Sequence, residues 1–390
     1  MKNKSTKILN MILMIIGCIA LICIGLYLPA LGIIAVLPFY FFARTKRSII
    51  VSSILLGVMV GLLATDFIPK ETYDLIRHWE VAQSFADVNS FEQFVNVSSH
   101  SSLEIIPKLY SFFIAKIGDY TLLQFFPVAI GYSALFYMLG DYRSRIKLRL
   151  GRFCGIFIFA TFAQSTLYYF SGLYNYFAIN MLAFAIYLDY IEKKKIIPYV
   201  LYVLMPFVHS SMFLPVGVLA IFKLKRGKVS LKFLLATIIV TLFIDQLLTF
   251  ISQNTSIELL RSITYTFNSY VKHNDKMYTF YGGIYLIMSI LKMGFVLLMC
   301  FVGRKNKDIA RSTTLTVLLS AVIMTLSISS IAMTRFTALI FFIALPVIMS
   351  NLAQNTQNSR HLSLLTWILG ISFAAYNLYQ IVPLIEMGGL

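Results

Sequence analysis

Long uncharged stretches alternate with short basic clusters along this chain. Residues 8–43 carry no charge, and residues 48–65, 120–140, 151–170, 173–191, 196–222, 230–250, 281–302, 312–333, 336–350 and 362–380 are apolar runs with few ionisable side chains. About 20 apolar residues make one membrane-crossing helix, so most of these runs predict one crossing each. Residues 8–43 are too long for a single crossing and are basic at both flanks. They predict helices near 8–26 and 29–43, with a turn at Pro29. Residues 196–222 are also basic at both ends and predict a hairpin of two short helices, with His209, Ser210 and Ser211 at its tip. The pattern predicts an all-α, polytopic transmembrane helical bundle of about 13 crossings, forming one integral membrane domain.

Two polar stretches interrupt it, 66–102 and 251–280. Residues 103–117 are short and amphipathic. Ile106, Leu109, Phe113 and Ile117 share one face and Glu104, Lys108 and Ser111 another. A crossing here would place the basic stretch 141–152 on the side of the polar loops, against the tendency of Lys and Arg to stay cytoplasmic. The segment therefore predicts an interfacial or re-entrant helix. It closes a first outer loop, 66–119, and the second outer loop is 251–280.

Charge fixes the orientation. The chain has 33 Lys and Arg against 16 Asp and Glu, a net charge of +17. Most of the cations fall in clusters at Lys2–Lys7, Arg44–Arg47, Arg143–Arg152, Lys193–Lys195, Lys223–Lys232, Arg304–Arg311 and Arg360. Such clusters mark cytoplasmic loops and face anionic lipid, so they do not imply a nucleic-acid partner. The N-terminus is expected inside and the C-terminus outside. A mean hydropathy of +0.80 leaves no soluble class open. Cys18, Cys23, Cys154 and Cys300 lie in apolar runs without metal-ligand spacing. No GxxxxGK loop, HExxH or paired CxxC occurs, as a motor ATPase, a zincin or a dithiol redox enzyme would need.

The candidate chemistry lies where charges depart from the clusters. Half of the 16 acidic residues fall between Asp66 and Asp119. There Tyr73, Asp74, Arg77, His78, Trp79 and Glu80 follow one another closely. On a helix Asp74, Arg77 and His78 share a face, offering a base beside an anion clamp, with Tyr73 and Trp79 as surfaces for sugar rings. The bland alternative is a solvated loop whose charges pair with each other. His209 stands alone in an apolar run behind Pro206, and an ionisable group there is costly unless paired or functional. Arg335 lies between two apolar helices on the outer side, and Arg261 lies in the second outer loop. A guanidinium fork suits a diphosphate, and the alternative for Arg335 is a snorkelling helix end. Lys292 sits mid-span, placed to pair with Asp245 or to touch anionic lipid. Tyr168 to Tyr176 form an aromatic turn that includes Asn175.

These residues carry a resemblance. Tyr73-Asp-Leu-Ile-Arg-His-Trp, Ser90-Phe-Glu-Gln-Phe and Leu103-Glu-Ile-Ile-Pro-Lys resemble the first large outer loop of bacterial EpsG-like proteins, Wzy-type polysaccharide repeat-unit polymerases. Asn175 to Tyr190, Phe207-Val-His-Ser-Ser-Met-Phe-Leu-Pro and Arg335 before an aromatic-rich helix are similar to later parts of that family. Many members carry Arg-Gln where this chain has Tyr174-Asn175, so the resemblance gives Tyr174 no catalytic role. It implies a membrane glycosyltransferase that joins oligosaccharide repeat units carried on undecaprenyl diphosphate. The product would be a capsular, exo- or O-antigen polysaccharide. Neither cofactor nor metal is expected, and a chain-length regulator and a flippase are expected as associates. Arg77, Arg261 and Arg335 are then expected to hold the diphosphate. His209 is expected as acceptor base, with Asp74 or Glu80 as alternatives. Sugar binding is expected from Tyr73, His78, Trp79, Tyr168 and Asn175. A lipid-linked oligosaccharide flippase or transporter and a glycan ligase are the competing readings.

Overall fold

A computed structural model describes residues 27–70, 73–97, 104–225, 274–304, 309–326 and 330–385, with isolated residues elsewhere; for 274–282, 324–326 and 330–332 it describes the backbone alone. The expected helices 8–26 and 230–250, and most of the second outer loop with Arg261, lie outside the described residues. The described chain is all-helical. Its helices are α1 (Pro29–Phe42), α2 (Lys46–Thr65), α3 (Asp74–Gln83), α4 (Phe91–Asn96), α5 (Ile105–Ile117), α6 (Leu122–Ile146), α7 (Leu150–Phe162) and α8 (Thr166–Ser171). They continue with α9 (Leu173–Tyr190), α10 (Ile197–Val208), α11 (Phe213–Leu224), α12 (Asn274–Gly303), α13 (Ala310–Leu326), α14 (Ser330–Ala353) and α15 (Gln357–Ile381). Among the described residues five segments, Lys46–Thr65, Leu122–Ile146, Gly283–Gly303, Met333–Ala353 and Gln357–Leu384, are long and apolar enough to cross a membrane. Helices α1, α7, α10, α11 and α13 are apolar but shorter.

Local chemistry sets several boundaries. Thr45 and Ser48 form a reciprocal capping box at the start of α2, as Thr356 and Ser359 do for α15, satisfying amides that have no intrahelical partner. Gly118 ends α5 in the left-handed conformation at φ 83°. Helix α14 is the hub. In its apolar window 94% of the residues are buried, and it packs on α6, α7, α9, α12, α13 and α15. The closest seam joins α2 to α6. A Cβ added to Gly57 would lie 2.0 Å from Ser133 Oγ and 2.4 Å from the Ala129 carbonyl, and one on Gly61 would lie 2.7 Å from Ala129 Cβ. Small residues four apart on both helices let the backbones approach, as in other membrane helix pairs.

The basic clusters gather at one end of the bundle. Lys46 pairs with Glu192 at 3.2 Å, and Arg145 pairs with Asp141 at 2.6 Å and with Glu192 at 3.7 Å. Tyr187 donates to the same Asp141 oxygen at 2.5 Å. Arg152, near the start of α7, donates to the carbonyls of Leu352 and Gln354 at the end of α14. The opposite end carries α3, α4 and α5, and there Ile68 donates to the Leu384 carbonyl at 2.7 Å. Both ends of α5 touch this layer. Glu104 meets Ser210, and Lys116 donates to the Ala86 carbonyl at 2.9 Å.

Several expectations change. The run 151–170 is two helices, because a bend follows Phe162 and Ser165 caps a new helix by accepting from the Tyr168 amide. Helix α6 continues to Ile146, so Arg143 and Arg145 belong to its last turn rather than to a loop. Helix α12 begins at Asn274 and takes in the end of the expected second loop. Arg335 lies within α14 and not between two helices. On α5 the apolar stripe is the exposed one. Leu109, Phe113 and Ile117 are 41%, 61% and 64% exposed, while Ile106 turns onto the core and Ile105 takes its place on the stripe. Ser111, from the polar face, is buried. An amphipathic helix pointing its apolar face outward suits lipid rather than water.

Candidate functional site

Five segments meet at the end that carries the polar loop: helix α3, the start of α5, the start of α9, the bend between α10 and α11, and the first turns of α14. Asp74 opens α3, where a carboxylate complements the helix dipole, and it pairs with Arg77 one turn later at 3.1 Å. Both side chains are partly exposed, so the pair itself adds little stability. His78, one turn after Asp74, is buried and sits edge-on to Tyr174 with ring centroids 4.7 Å apart. Tyr174, 5% exposed, lies 3.4 Å from Ser111 Oγ and also meets the ring of Tyr110.

The centre of the group is Glu104, the residue before α5. Its Oε1 accepts from the Ser210 amide at 3.3 Å and from Ser210 Oγ at 3.2 Å. Burial raises its carboxyl pKa above 4.5, opposed by the two Ser210 hydrogen bonds and by the charges of Arg77 and Arg335. Glu104 thus lies within electrostatic reach of two guanidiniums, one from α3 and one from α14. His209 occupies the break between α10 and α11, where its extended backbone, φ −150°, ends the helix behind Pro206. The Ser211 amide donates to His209 Nδ1 at 3.3 Å, and Ser211 Oγ lies 2.7 Å from the same nitrogen. An amide can only donate, so Nδ1 is the acceptor and the neutral ring carries its proton on Nε2. Burial, then Arg335 and His78, push the His209 pKa down to about 3. The imidazole is neutral through the physiological range.

Of the residues singled out in the sequence, Arg77, His78, His209 and Arg335 thus gather around Glu104. Asp74 lies at their edge, its Oδ2 3.8 Å from the position a Cβ on Gly172 would take. Tyr73 stacks on Phe67 at 6.0 Å, and Trp79 packs against the core with its Nε1 buried and making no hydrogen bond among the described residues. Glu80 is exposed. Asn175 is 3% exposed, and neither polar atom of its amide finds a partner among the described residues. Tyr168 joins a separate aromatic group with Tyr285, at 5.0 Å, and Tyr376. Arg261 lies outside the described residues.

The central carboxylate is the residue that the candidate list omits. Tyr174 is a second omission, hidden among aromatics of which most serve packing. Among the described residues no three His, Cys, Asp or Glu side chains lie together as a metal site would require. Comparison of the chain with protein-family models, curated proteins and solved structures found no match.

Proposed function

We propose that the protein is a bacterial membrane glycosyltransferase of the EpsG-like, Wzy-type class. In this reading it joins undecaprenyl-diphosphate-linked oligosaccharide repeat units on the outer face of the cytoplasmic membrane, with the basic end of the bundle inside. The observation that carries the reading is the half-buried carboxylate Glu104, bonded to Ser210 beside His209 and within electrostatic reach of Arg77 and Arg335, near the buried ring of His78. Glycosyl transfer from a lipid diphosphate needs a cationic clamp for the leaving group and a base for the acceptor hydroxyl. Arg77 and Arg335 supply the clamp. The base role passes from His209 to Glu104. His209 holds its proton on Nε2 and its Nδ1 is committed to Ser211, so its ring is set to donate a hydrogen bond to a substrate oxygen. The surroundings of Glu104 raise its proton affinity, which suits a carboxylate that takes up a proton in the reaction.

The reaction is a displacement at the anomeric carbon of the growing chain. An acceptor hydroxyl of the incoming unit attacks, the bond to the diphosphate oxygen breaks, and undecaprenyl diphosphate leaves with its electron pair. Glu104 takes the hydroxyl proton. His78, the Tyr174 ring and the unpartnered amide of Asn175 form the sugar-facing surface. The outward apolar stripe of α5 fits a helix lying in the outer leaflet, close to where the lipid carrier arrives.

One observation favours the transport reading: Lys292 is 3% exposed within α12, with its ammonium 5.7 Å from the Phe373 ring. A buried cation inside a bundle can mark a substrate path. The two readings separate in a reconstituted assay. Purified protein, given lipid-linked repeat units without a membrane barrier, should yield a ladder of longer glycans and free undecaprenyl diphosphate. A transporter would leave the units unchanged, which would overturn the proposal.

A further inference from the structure

At the basic end, away from the site described above, α9, α10, α11 and α13 line an open cavity of about 650 Å³. It is lined by Lys193, Lys194, Lys195, Lys223 and Arg311, with Asp189 the one carboxylate among the described lining residues. That carboxylate is engaged. Lys223 Nζ lies 2.5 Å from Asp189 Oδ2, and over the rings of Tyr199 at 4.0 Å and Tyr202 at 4.7 Å. Asp189 also accepts from Tyr202 Oη at 3.0 Å. Its charge is therefore spent within the wall, and the cations of the rim exceed it. The rim has a fixed shape. Lys193 takes the left-handed conformation at φ 59°, uncommon for a side chain of this kind, and its ammonium donates to the Tyr190 carbonyl. Lys194 and Lys195 follow in the same turn, while Arg311 comes from α13. Gly227, at φ 74°, lets the chain pass close to Arg311.

Topology alone explains cations in a loop, but it requires neither a concave site nor convergence from four helices. The cavity falls in the size range of small-molecule sites. Beside it runs an apolar stripe open to the outside: Ile196 is 76% exposed, Val200 49%, Val203 62% and Leu204 39%. Cations at one end of an exposed apolar stripe match a phosphate headgroup followed by acyl chains.

We propose that this cavity is a binding site for a phosphate-bearing headgroup, that of an anionic membrane phospholipid whose chains lie along the outward face of α10. The rim lysines and Arg311 hold the phosphate, and the Asp189–Lys223 pair with Tyr199 forms the rigid back wall.

The test uses the purified full-length chain in detergent, titrated with phosphatidylglycerol, phosphatidylcholine or inorganic pyrophosphate, with binding read by native mass spectrometry. One variant carries Lys193→Asn, Lys194→Gln and Lys195→Gln; Asn tolerates the left-handed turn. A control removes as much charge elsewhere with Arg47→Gln, Arg149→Gln and Arg360→Gln, all at exposed positions. Phosphatidylglycerol should bind the wild type and the control, with affinity at least about 10-fold lower for the rim variant. Equal binding of phosphatidylglycerol and phosphatidylcholine, or equal loss in both variants, would overturn the proposal. Binding of pyrophosphate without phosphatidylglycerol would overturn the lipid assignment.

Discussion

Replacing Glu104 by Gln removes the charge at the centre of the candidate site while keeping its shape. One carboxylate oxygen accepts both Ser210 hydrogen bonds, at 3.3 Å and 3.2 Å. The amide oxygen of Gln can accept the same two. Glu104→Gln should therefore change stability by less than about 1 kcal/mol. Glu104→Ala forfeits both bonds and should cost about 1–3 kcal/mol. Stability should not fall in the Gln variant at neutral pH. A carboxyl whose folded pKa lies above its unfolded value stabilises most at low pH, and that contribution is lost as pH rises through the folded value. Catalysis behaves otherwise. Loss of a general base costs about 10²–10⁴ in rate, or about 3–5 kcal/mol of barrier, well beyond either structural cost. The base works ionised, so the wild-type rate should fall as pH drops through the raised Glu104 pKa, above 4.5. The assay is the rate of undecaprenyl diphosphate release by the purified protein between pH 4 and 8, beside a thermal unfolding curve. A Gln variant within about threefold of wild type, with the same acid limb, would refute the assignment of the base.

Arg335→Lys keeps the charge but not the two-pronged fork, and should raise KM for the lipid-linked donor about 10-fold; Arg335→Gln should abolish measurable transfer, both read in the same release assay. Gly57→Val should cost about 2–3 kcal/mol and lower Tm, since its Cβ meets the Ala129 carbonyl 2.4 Å away, a backbone atom that cannot swing aside; unchanged Tm would argue against the tight α2–α6 seam. Asp141→Ala leaves Arg145 and Tyr187 without their shared acceptor, and should cost about 3 kcal/mol in thermal unfolding while KM stays as in wild type.

The long apolar runs announced α2, α6, α14 and α15, because a crossing helix needs little beyond length and hydrophobicity. The breaks were harder to read. Nothing in the apolar run 151–170 signals the bend after Phe162, since Ser165 becomes a cap only when tertiary packing turns the chain. The inverted burial of α5 was hidden for a different reason. Its amphipathic period was plain, but whether the apolar face meets protein or lipid depends on what packs behind Ser111 and Pro107. For the site, isolated charges in apolar surroundings drew attention to Arg335 and His209, which the fold brings within electrostatic reach of each other. They did not lead to Glu104, which sits among many acids in one polar stretch. Only Ser210, more than a hundred residues further on, distinguishes it from the exposed Glu80.

The most direct test of the proposed function is the surface glycan of a strain lacking this protein, resolved by size and complemented with wild type, Glu104→Gln or Arg335→Gln. The account predicts that the deletion strain exports single repeat units without long chains, that wild type restores the full ladder, and that both variants reach normal membrane levels yet leave single units. Absence of any surface glycan, with lipid-linked units accumulating on the inner leaflet, would contradict it and identify a transporter instead.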